Sequence, residues 1–429
     1  MQETCTIELF SEGRWVEVAS VGLLGPKGLG WRAKTYSGYD LAWALSHTDV
    51  KDAWALSSSF PVSLEPLELP HWPVFLVDML PQGYGRKELL RRIGLPITQE
   101  GAGDWPLLLA GAGNPIGHLR IKEAADWLTA HTGPKQGFTD AEVAQRSEGF
   151  IEYLSGQGLF VAGSSGVQGE WPKVLLTRAK DGLLYLDHAV EDAEAAEHFI
   201  VKFGRGPNQD LARILQHEAP YMELARLLGL RVNAPLKLLK SALFIPRFDR
   251  QVINGSVVRL AQESIAALTG KVGFDEVPSH NDVCRALAAV ASHPLAEVLE
   301  YIKRDVANLA LGNKDNHARN TAVQRRFDGH IALTPLYDFA PMYMHPDGIA
   351  RRMRWTSNDG GNPNWELVLD AVASECQLDR AQLAQGLRSM GPHLEAILKQ
   401  GADLGIEPSV LRFLTPNIAN QAAATSKIN

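Results

Sequence analysis

An acid, an amide five residues later and a second acid after an apolar strand occur close together in this chain. The first two are Asp315 and Asn320, in Gly312-Asn313-Lys314-Asp315-Asn316-His317-Ala318-Arg319-Asn320. The third is Asp338, in Leu333-Thr334-Pro335-Leu336-Tyr337-Asp338-Phe339. One carboxylate can accept the proton of an attacking hydroxyl. An amide oxygen and a second carboxylate can ligate Mg²⁺, a hard cation that prefers oxygen. Phosphoryl transfer needs this set, because its catalysis is mostly positioning and charge neutralisation. Asp and Asn are also common turn formers, so each residue alone would read as loop. The joint spacing, behind a helix ending at Leu311 and before the Ile331–Tyr337 segment, points to chemistry.

Such a reaction also needs a phosphate cradle and a cation. Gly163-Ser164-Ser165-Gly166-Val167-Gln168-Gly169 precedes the strand Lys173-Val174-Leu175-Leu176-Thr177. Glycines there let backbone N–H groups approach phosphate oxygens; the plain alternative is a surface turn. Lys202 closes the apolar run Phe199-Ile200-Val201. A lysine on a buried strand resembles the V-A-I-K strand of protein kinases, and the competing reading is an edge lysine reaching for water.

The elements that must position these residues follow from periodicity and turn signals. Residues 1–140 read as a mixed α/β unit with strands at Ile7–Phe10 and Trp15–Val18 joined at Glu12-Gly13, helices at Phe75–Leu80 and Arg86–Ile93, and a strand over Pro115–Ile121. Residues 141–250 read as a strand-rich nucleotide-binding unit. A helix over Thr139–Leu154 leads into it, and a helix over Asp210–Leu228 ends at Gly229. Residues 251–429 read as mainly helical, with helices at Gln262–Leu268, Asn281–Ala291, Pro294–Leu311, Trp365–Ala373 and Arg380–Lys399. Ile331–Leu333 is the one clear strand there, and the polar tail from Thr415 reads as a loose end. The expected fold class is α/β (α+β).

Composition narrows the classes. The chain has 429 residues, 45% apolar and 21% charged, so two or three folded domains are expected. No stretch reaches the ~20 apolar residues of a membrane helix. The polar start Met1-Gln2-Glu3-Thr4-Cys5 does not read as a signal peptide. Cys5, Cys284 and Cys376 are far apart with no CxxC, which points to a reducing compartment, the cytoplasm, without a disulfide frame or zinc site. A net charge of −7 argues against a surface built wholly for nucleic acid. Basic clusters at Arg86-Lys87/Arg91-Arg92, Arg325-Arg326 and Arg351-Arg352/Arg354 read as solvated faces. The acids among Asp187–His198 read as one solvated helix face without HExxH spacing. No GxGxxG follows a strand, and GxxxxGK[ST] and GxSxG are absent.

Together the motifs resemble the HipA-like serine/threonine kinases, toxins of bacterial type II toxin–antitoxin systems. The 312–320 run resembles the family's G-N-x-D-x-H-x-K-N loop, with Arg319 at the usual Lys. Leu333–Asp338 resembles L-x-P-x-Y-D. Ile245-Pro246-Arg247-Phe248-Asp249-Arg250 resembles the hinge E-R-F-D-R, with Pro246 replacing Glu. Arg259-Leu260-Ala261-Gln262-Glu263 resembles R-L-x-Q-E. Ser165 to Lys173 resembles S-x-x-G-x-x-x-K with one extra residue. The first unit fits through Ala55–Pro61 and Asp78-Met79-Leu80-Pro81.

The resemblance implies a two-lobed protein-kinase-like fold with an extra N-terminal α/β subdomain and a helical C-terminal lobe. It implies ATP and Mg²⁺ as cofactors, Asp315 as general base, and Asn320 and Asp338 as metal ligands. It also implies a nucleotide site at Gly169, Lys173, Lys202, Phe248, His317, Asn320, Tyr337 and Asp338, and autophosphorylation at Ser164 or Ser165. Aminoacyl-tRNA synthetases are the implied protein substrates. A helix-turn-helix antitoxin is the implied partner, with DNA contacted only through it and no membrane. The alternatives are an ATP-binding pseudokinase, a DNA-associated regulatory partner and a small-molecule kinase; the intact acid/amide set and the long first unit favour the enzyme acting on a protein.

Overall fold

The computed structural model describes residues 3–97, 101–157, 173–204, 208–356 and 360–429. The Gly/Ser stretch with Ser164, Ser165 and Gly169 lies outside them.

The first unit is built on an antiparallel sheet in the order β4-β3-β2-β1-β5, from β1 (Thr4–Ser11), β2 (Arg14–Leu23), β3 (Thr35–Tyr39), β4 (Leu67–Leu69) and β5 (Leu119–Ile121). Glu12 and Gly13 both take positive φ, the conformation a two-residue hairpin needs to match strand twist. Cys5, Ile7 and Leu9 alternate into a core that holds Trp72, Leu76 and Trp105. The helix Val74–Asp78 packs there by Phe75, Leu76 and Val77.

A second antiparallel sheet runs β7-β6-β8-β10-β9, from β6 (Lys173–Ala179), β7 (Leu184–Leu186), β8 (Ala195–Phe203), β9 (Lys237–Leu239) and β10 (Ala242–Pro246). Period-2 alternation gives it two faces. Phe199, Val201 and Phe203 enter a core with Val174, Leu176, Ala242 and Phe244, while Lys173, Ile200, Lys202 and Ile245 face a cleft. The helix Gln209–Leu227 packs on the cleft side of it, started by the Asn208 side chain, which accepts from the Asp210 and Leu211 amides. A hairpin of β11 (Arg250–Ile253) and β12 (Ser256–Arg259) follows, turning at Asn254-Gly255 with positive φ at both.

The C-terminal part holds the largest core, extending from Tyr221 to Ile428. Its central helix, Pro294–Leu311, starts with Pro at its first turn and stops at Gly312 in the left-handed region. The chain then crosses a loop into a small sheet ordered β13-β14-β15, from β13 (Ala261–Ser264), β14 (Ala322–Arg325) and β15 (Ile331–Leu333). The loop and the segment after β15 carry the two acids and the amide.

Several expectations fail for tertiary reasons. The Thr139–Leu154 helix is two, Asp140–Gln145 and Glu148–Gln157, separated at Arg146 in the left-handed region. Gln262–Leu268 is divided: Gln262–Ser264 belongs to β13, which pairs with β14, and Ile265–Leu268 is helical. The 380–399 stretch breaks into Arg380–Arg388 and Met390–Gln400. The tail is no loose end. Pro408–Ser426 is a helix that buries Val410, Leu414, Ile418 and Ala422, a spacing the polar residues between them obscured. Each basic cluster also loses a member to the interior. Arg86 pairs with buried Asp104 at 2.7 Å, Arg325 is fully buried, and Arg351 pairs with buried Asp305 at 2.5 Å. Asp187 is not on a solvated helix face. Its carboxylate is wholly buried against Arg247 and Arg250.

Candidate functional site

Between the second sheet and the C-terminal part lies a cleft of about 1330 Å³, partly open to solvent. Lys173, Lys202, Glu218, Phe248, Asn320, Tyr337 and Asp338 line it. Lys173 and Lys202 sit directly opposite each other on β6 and β8, so two ammonium groups project from neighbouring strands. Like charges so placed repel unless acids separate them. Lys202 donates to Glu218 at 2.5 Å and to Asp338, and Lys173 lies 3.7 Å from the other Asp338 oxygen. Glu218 comes from the Gln209–Leu227 helix.

These contacts set the charge states. Burial disfavours the charged form of Asp338, but Lys173 and Lys202 outweigh it and hold the carboxyl well below its usual range. Burial likewise opposes the Lys202 ammonium, and Asp338 and Glu218 overcome it, so its pKa is raised. Lys173 is shifted down, since burial dominates over its attraction to Asp338. Burial raises the Glu218 pKa against the pull of Lys202.

The loop after Gly312 braces itself. Asn313 Oδ1 accepts from the Asp315 amide at 3.3 Å, and Asn320 Nδ2 donates to the Asp315 carbonyl at 2.9 Å. Asp315 and Asn320 are therefore held together by the spacing that made them conspicuous. The Asp315 carboxylate is one-third exposed, with His317 Nε2 3.7 Å away. Burial raises the Asp315 pKa despite that imidazole, and burial lowers that of His317, keeping the ring toward its neutral form. Asp338 holds φ +53, a region that Asp tolerates better than most residues and that often marks functional backbone. Asp315, Asn320 and Asp338 line a smaller adjoining cavity together.

Phe248 and Tyr337 pack against each other in the lining of the main cleft, ring centroids 5.8 Å apart and tilted by 38°, an apolar surface for a planar ring to lie on. The hinge between the sheets is fastened elsewhere. Arg247 clamps Asp249 at 2.9 and 2.6 Å, and Asp249 accepts from the Gly117 amide of the first unit at 2.9 Å. Pro246 keeps its carbonyl in use, accepting from Asn233 at 3.0 Å.

Among the sequence-selected residues within the described chain, Lys173, Lys202, Phe248, Asn320, Tyr337 and Asp338 share the main cleft. Asp315 and His317 stand beside it, Asp315 in the adjoining cavity with Asn320 and Asp338. Glu218 was missed. The available signal was that kinase sites pair the strand lysine with an acid on the next helix, and this helix follows β8 directly. Also missed was what the other motifs do. Glu263 accepts from Ser57 Oγ at 2.6 Å and from Ser58 at 2.9 Å, and Arg325 donates to the Ala55 and Leu56 carbonyls at 3.0 Å. The R-L-x-Q-E and Ala55–Pro61 segments are thus two halves of one joint between the first unit and β13–β14.

The donor set suits a hard divalent cation. Asp338 offers a carboxylate and Asn320 an amide oxygen that accepts no hydrogen bond among the described residues, leaving other positions to phosphate and water. The opposed lysines suit polyphosphate.

The family model of the HipA-like C-terminal domain matches residues 165–397, more than half of the chain. The chain belongs to the HipA-like family. The HipA toxin of Shewanella oneidensis, solved with HipB and its operator DNA, aligns over 99% of this chain and 97% of its own. The TM-score is 0.65 at 19% identity, so this likeness speaks to fold. The Sinorhizobium fredii protein Y4mE, whose name calls it a kinase only provisionally, is 24% identical over 412 residues, covering 90% of this chain and 91% of its own. The fold is accordingly the two-lobed kinase-like one of HipA, with its additional N-terminal α/β part. Among the described residues, no helix is long and apolar enough to cross a membrane.

Proposed function

We propose that this chain is an ATP-dependent serine/threonine protein kinase of the HipA-like toxin class. The observation that carries the reading is the Lys202–Glu218 ion pair aimed at Asp338 inside a cleft that also holds Asn320. A strand lysine paired with a helix glutamate is the arrangement that protein kinases need for the ATP phosphates. Residues 141–250 and 251–429 are the two lobes of the reading, and 1–140 the added subdomain.

In this reading the nucleotide base lies against the Phe248–Tyr337 pair, with Lys202 and Lys173 on its phosphates and Gly169 and His317 beside them. Asn320 and Asp338 hold Mg²⁺, which when bound neutralises charge on the phosphate oxygens. Asp315 accepts the acceptor hydroxyl's proton as that oxygen bonds to the γ-phosphorus, and the bond to the β–γ bridging oxygen breaks, releasing ADP. Burial raises the pKa of Asp315, which makes it a better proton acceptor than an exposed aspartate. The family resemblance supports an aminoacyl-tRNA synthetase as substrate, Ser164 or Ser165 as the self-modified residue, and a helix-turn-helix antitoxin as partner in the cytoplasm. The HipA neighbour's complex with HipB and operator DNA fits that partner.

The test compares wild type with Asp315→Ala for phosphate transfer from Mg-ATP to protein acceptors, with growth arrest on expression read alongside. Transfer and arrest in wild type, both lost in the variant, are expected. Equal transfer in both proteins would end the reading.

A further inference from the structure

Arg319 lies between His317 and Asn320 and lines the main cleft, and its guanidinium reaches the first unit. Arg319 Nε is 3.3 Å from Asp78 Oδ1, and Asp78 closes the Val74–Asp78 helix of the first unit. Its guanidinium carbon stands 4.6 Å over the Phe274 ring, and NH2 reaches the Val272 carbonyl at 3.4 Å. Only 7% of the side chain is exposed, so the group is fixed from several directions. Asp78 is fixed as well, its other oxygen accepting from the Ser264 amide at 3.2 Å.

The backbone of Arg319 is tied into the loop at the same time. Its amide faces His317 Nδ1 at 3.3 Å, and its carbonyl accepts from Tyr337 Oη at 2.9 Å. The Asn320 amide donates to the His317 carbonyl at 2.9 Å. A shift of the Arg319 backbone, which the side-chain anchor restrains, would therefore be felt by His317, Asn320 and the Tyr337 ring together.

We infer that the Asp78–Arg319 pair is a positioning device through which the N-terminal unit sets the orientation of the catalytic loop, making that unit part of the turnover machinery. The inference rests on the kinase reading above. Neither residue touches the reacting atoms; both act through the loop.

The experiment measures the maximal rate and half-saturating ATP concentration for transfer from Mg-ATP, onto the chain itself and onto casein. ADP affinity and thermal unfolding are recorded in parallel. The proteins are wild type, Arg319→Ala, Arg319→Lys, Asp78→Asn and the Asp78→Asn/Arg319→Ala double variant. The Ala and Asn variants should lose about 10–100-fold in maximal rate, the range seen when a group orienting a ligand is removed. Their ADP affinity, measured without Mg²⁺, should fall less than the maximal rate, since the phosphate-binding lysines are untouched. Arg319→Lys, which keeps the charge, should recover most of the rate, and the double variant should be no slower than the worse single, as for residues acting as one unit. Wild-type rate in Arg319→Ala, additive losses in the double variant, or a rate that falls only with the folded fraction would each overturn the inference while leaving the kinase reading intact. No transfer by wild type would remove the kinase reading, and this inference with it.

Discussion

The chain buries two networks of opposed charge near its hinge. In one, Asp187 accepts from Asn114 at 2.7 Å, Thr177 at 2.6 Å, Arg250 at 2.7 Å and Arg247 at 3.2 Å, with no carboxylate surface exposed. In the other, Asp338 faces Lys202 and Lys173, and a quarter of its side chain remains exposed to the cleft. Asp187 has all its acceptor capacity used by fixed protein groups, a structural clamp between hinge, β6 and the first unit. Asp338 is held by ammonium groups that could equally grip phosphate, which would release its oxygens to a cation. Burial is common to both; what separates them is whether the partners could exchange for a ligand.

The comparison is broken most directly by crossing the two networks. Asp315→Ala, beside the Asp338 network, should lower phosphoryl transfer by ~10²–10⁴-fold with an unchanged urea midpoint. Asp187→Ala should do the reverse. Leaving Arg247 and Arg250 short of a buried partner should cost about 3–5 kcal/mol in urea unfolding, with transfer per folded molecule largely retained. If Asp187→Ala kept wild-type stability, the clamp reading would be wrong.

Glu218→Gln sharpens the Asp338 side. A hydrogen bond to a charged group contributes about 1.5–3 kcal/mol, or about 10–100-fold. That loss should appear in ATP affinity by calorimetry, with only a modest change in thermal unfolding. An unchanged affinity would mean that Lys202 does not need its helix partner.

The smallest effects come from pH. The Asp187 pKa is depressed because the arginines and His198 outweigh burial. Its stabilisation is therefore present above the unfolded value of about 3.9 and lost as pH falls through the lower folded value. The acid limb of unfolding stability, followed by urea titration, should shrink in Asp187→Asn. Asp315 is displaced the other way, so the maximal transfer rate should fall on acidification at a pH above about 4. A limb at or below that value would speak against Asp315 as base.

Much of the site was legible because its parts are local. Asp315 and Asn320 are joined by a hydrogen bond across five residues, and Lys202 follows from strand alternation over Phe199–Phe203. The β11–β12 hairpin was legible too, through Asn254-Gly255, but was not read. The Pro408–Ser426 helix was hidden because from Thr415 on Ile418 is its one large apolar residue, set among Thr, Pro, Asn, Gln and small alanines; burial against the Pro294–Leu311 helix and its neighbours makes it a helix.

The sequence by itself determined the chemical groups on offer: an acid, an amide and second acid, and a strand lysine, in the chain order of the kinase motif. Spacing within a loop or strand is short-range, and propensity and alternation act on the same scale. Only the tertiary structure decided who pairs with whom. Lys202 and Asp338 stand 136 residues apart, and Ser57 and Glu263 stand 206 apart. Such pairs leave no local signature, because the energy that selects them is the avoided cost of burying an unpaired charge, which exists only once the chain has closed around it. The same closure turned Arg325, Arg351 and Asp187 from apparent surface charges into interior ones, and gave Arg319 to Asp78.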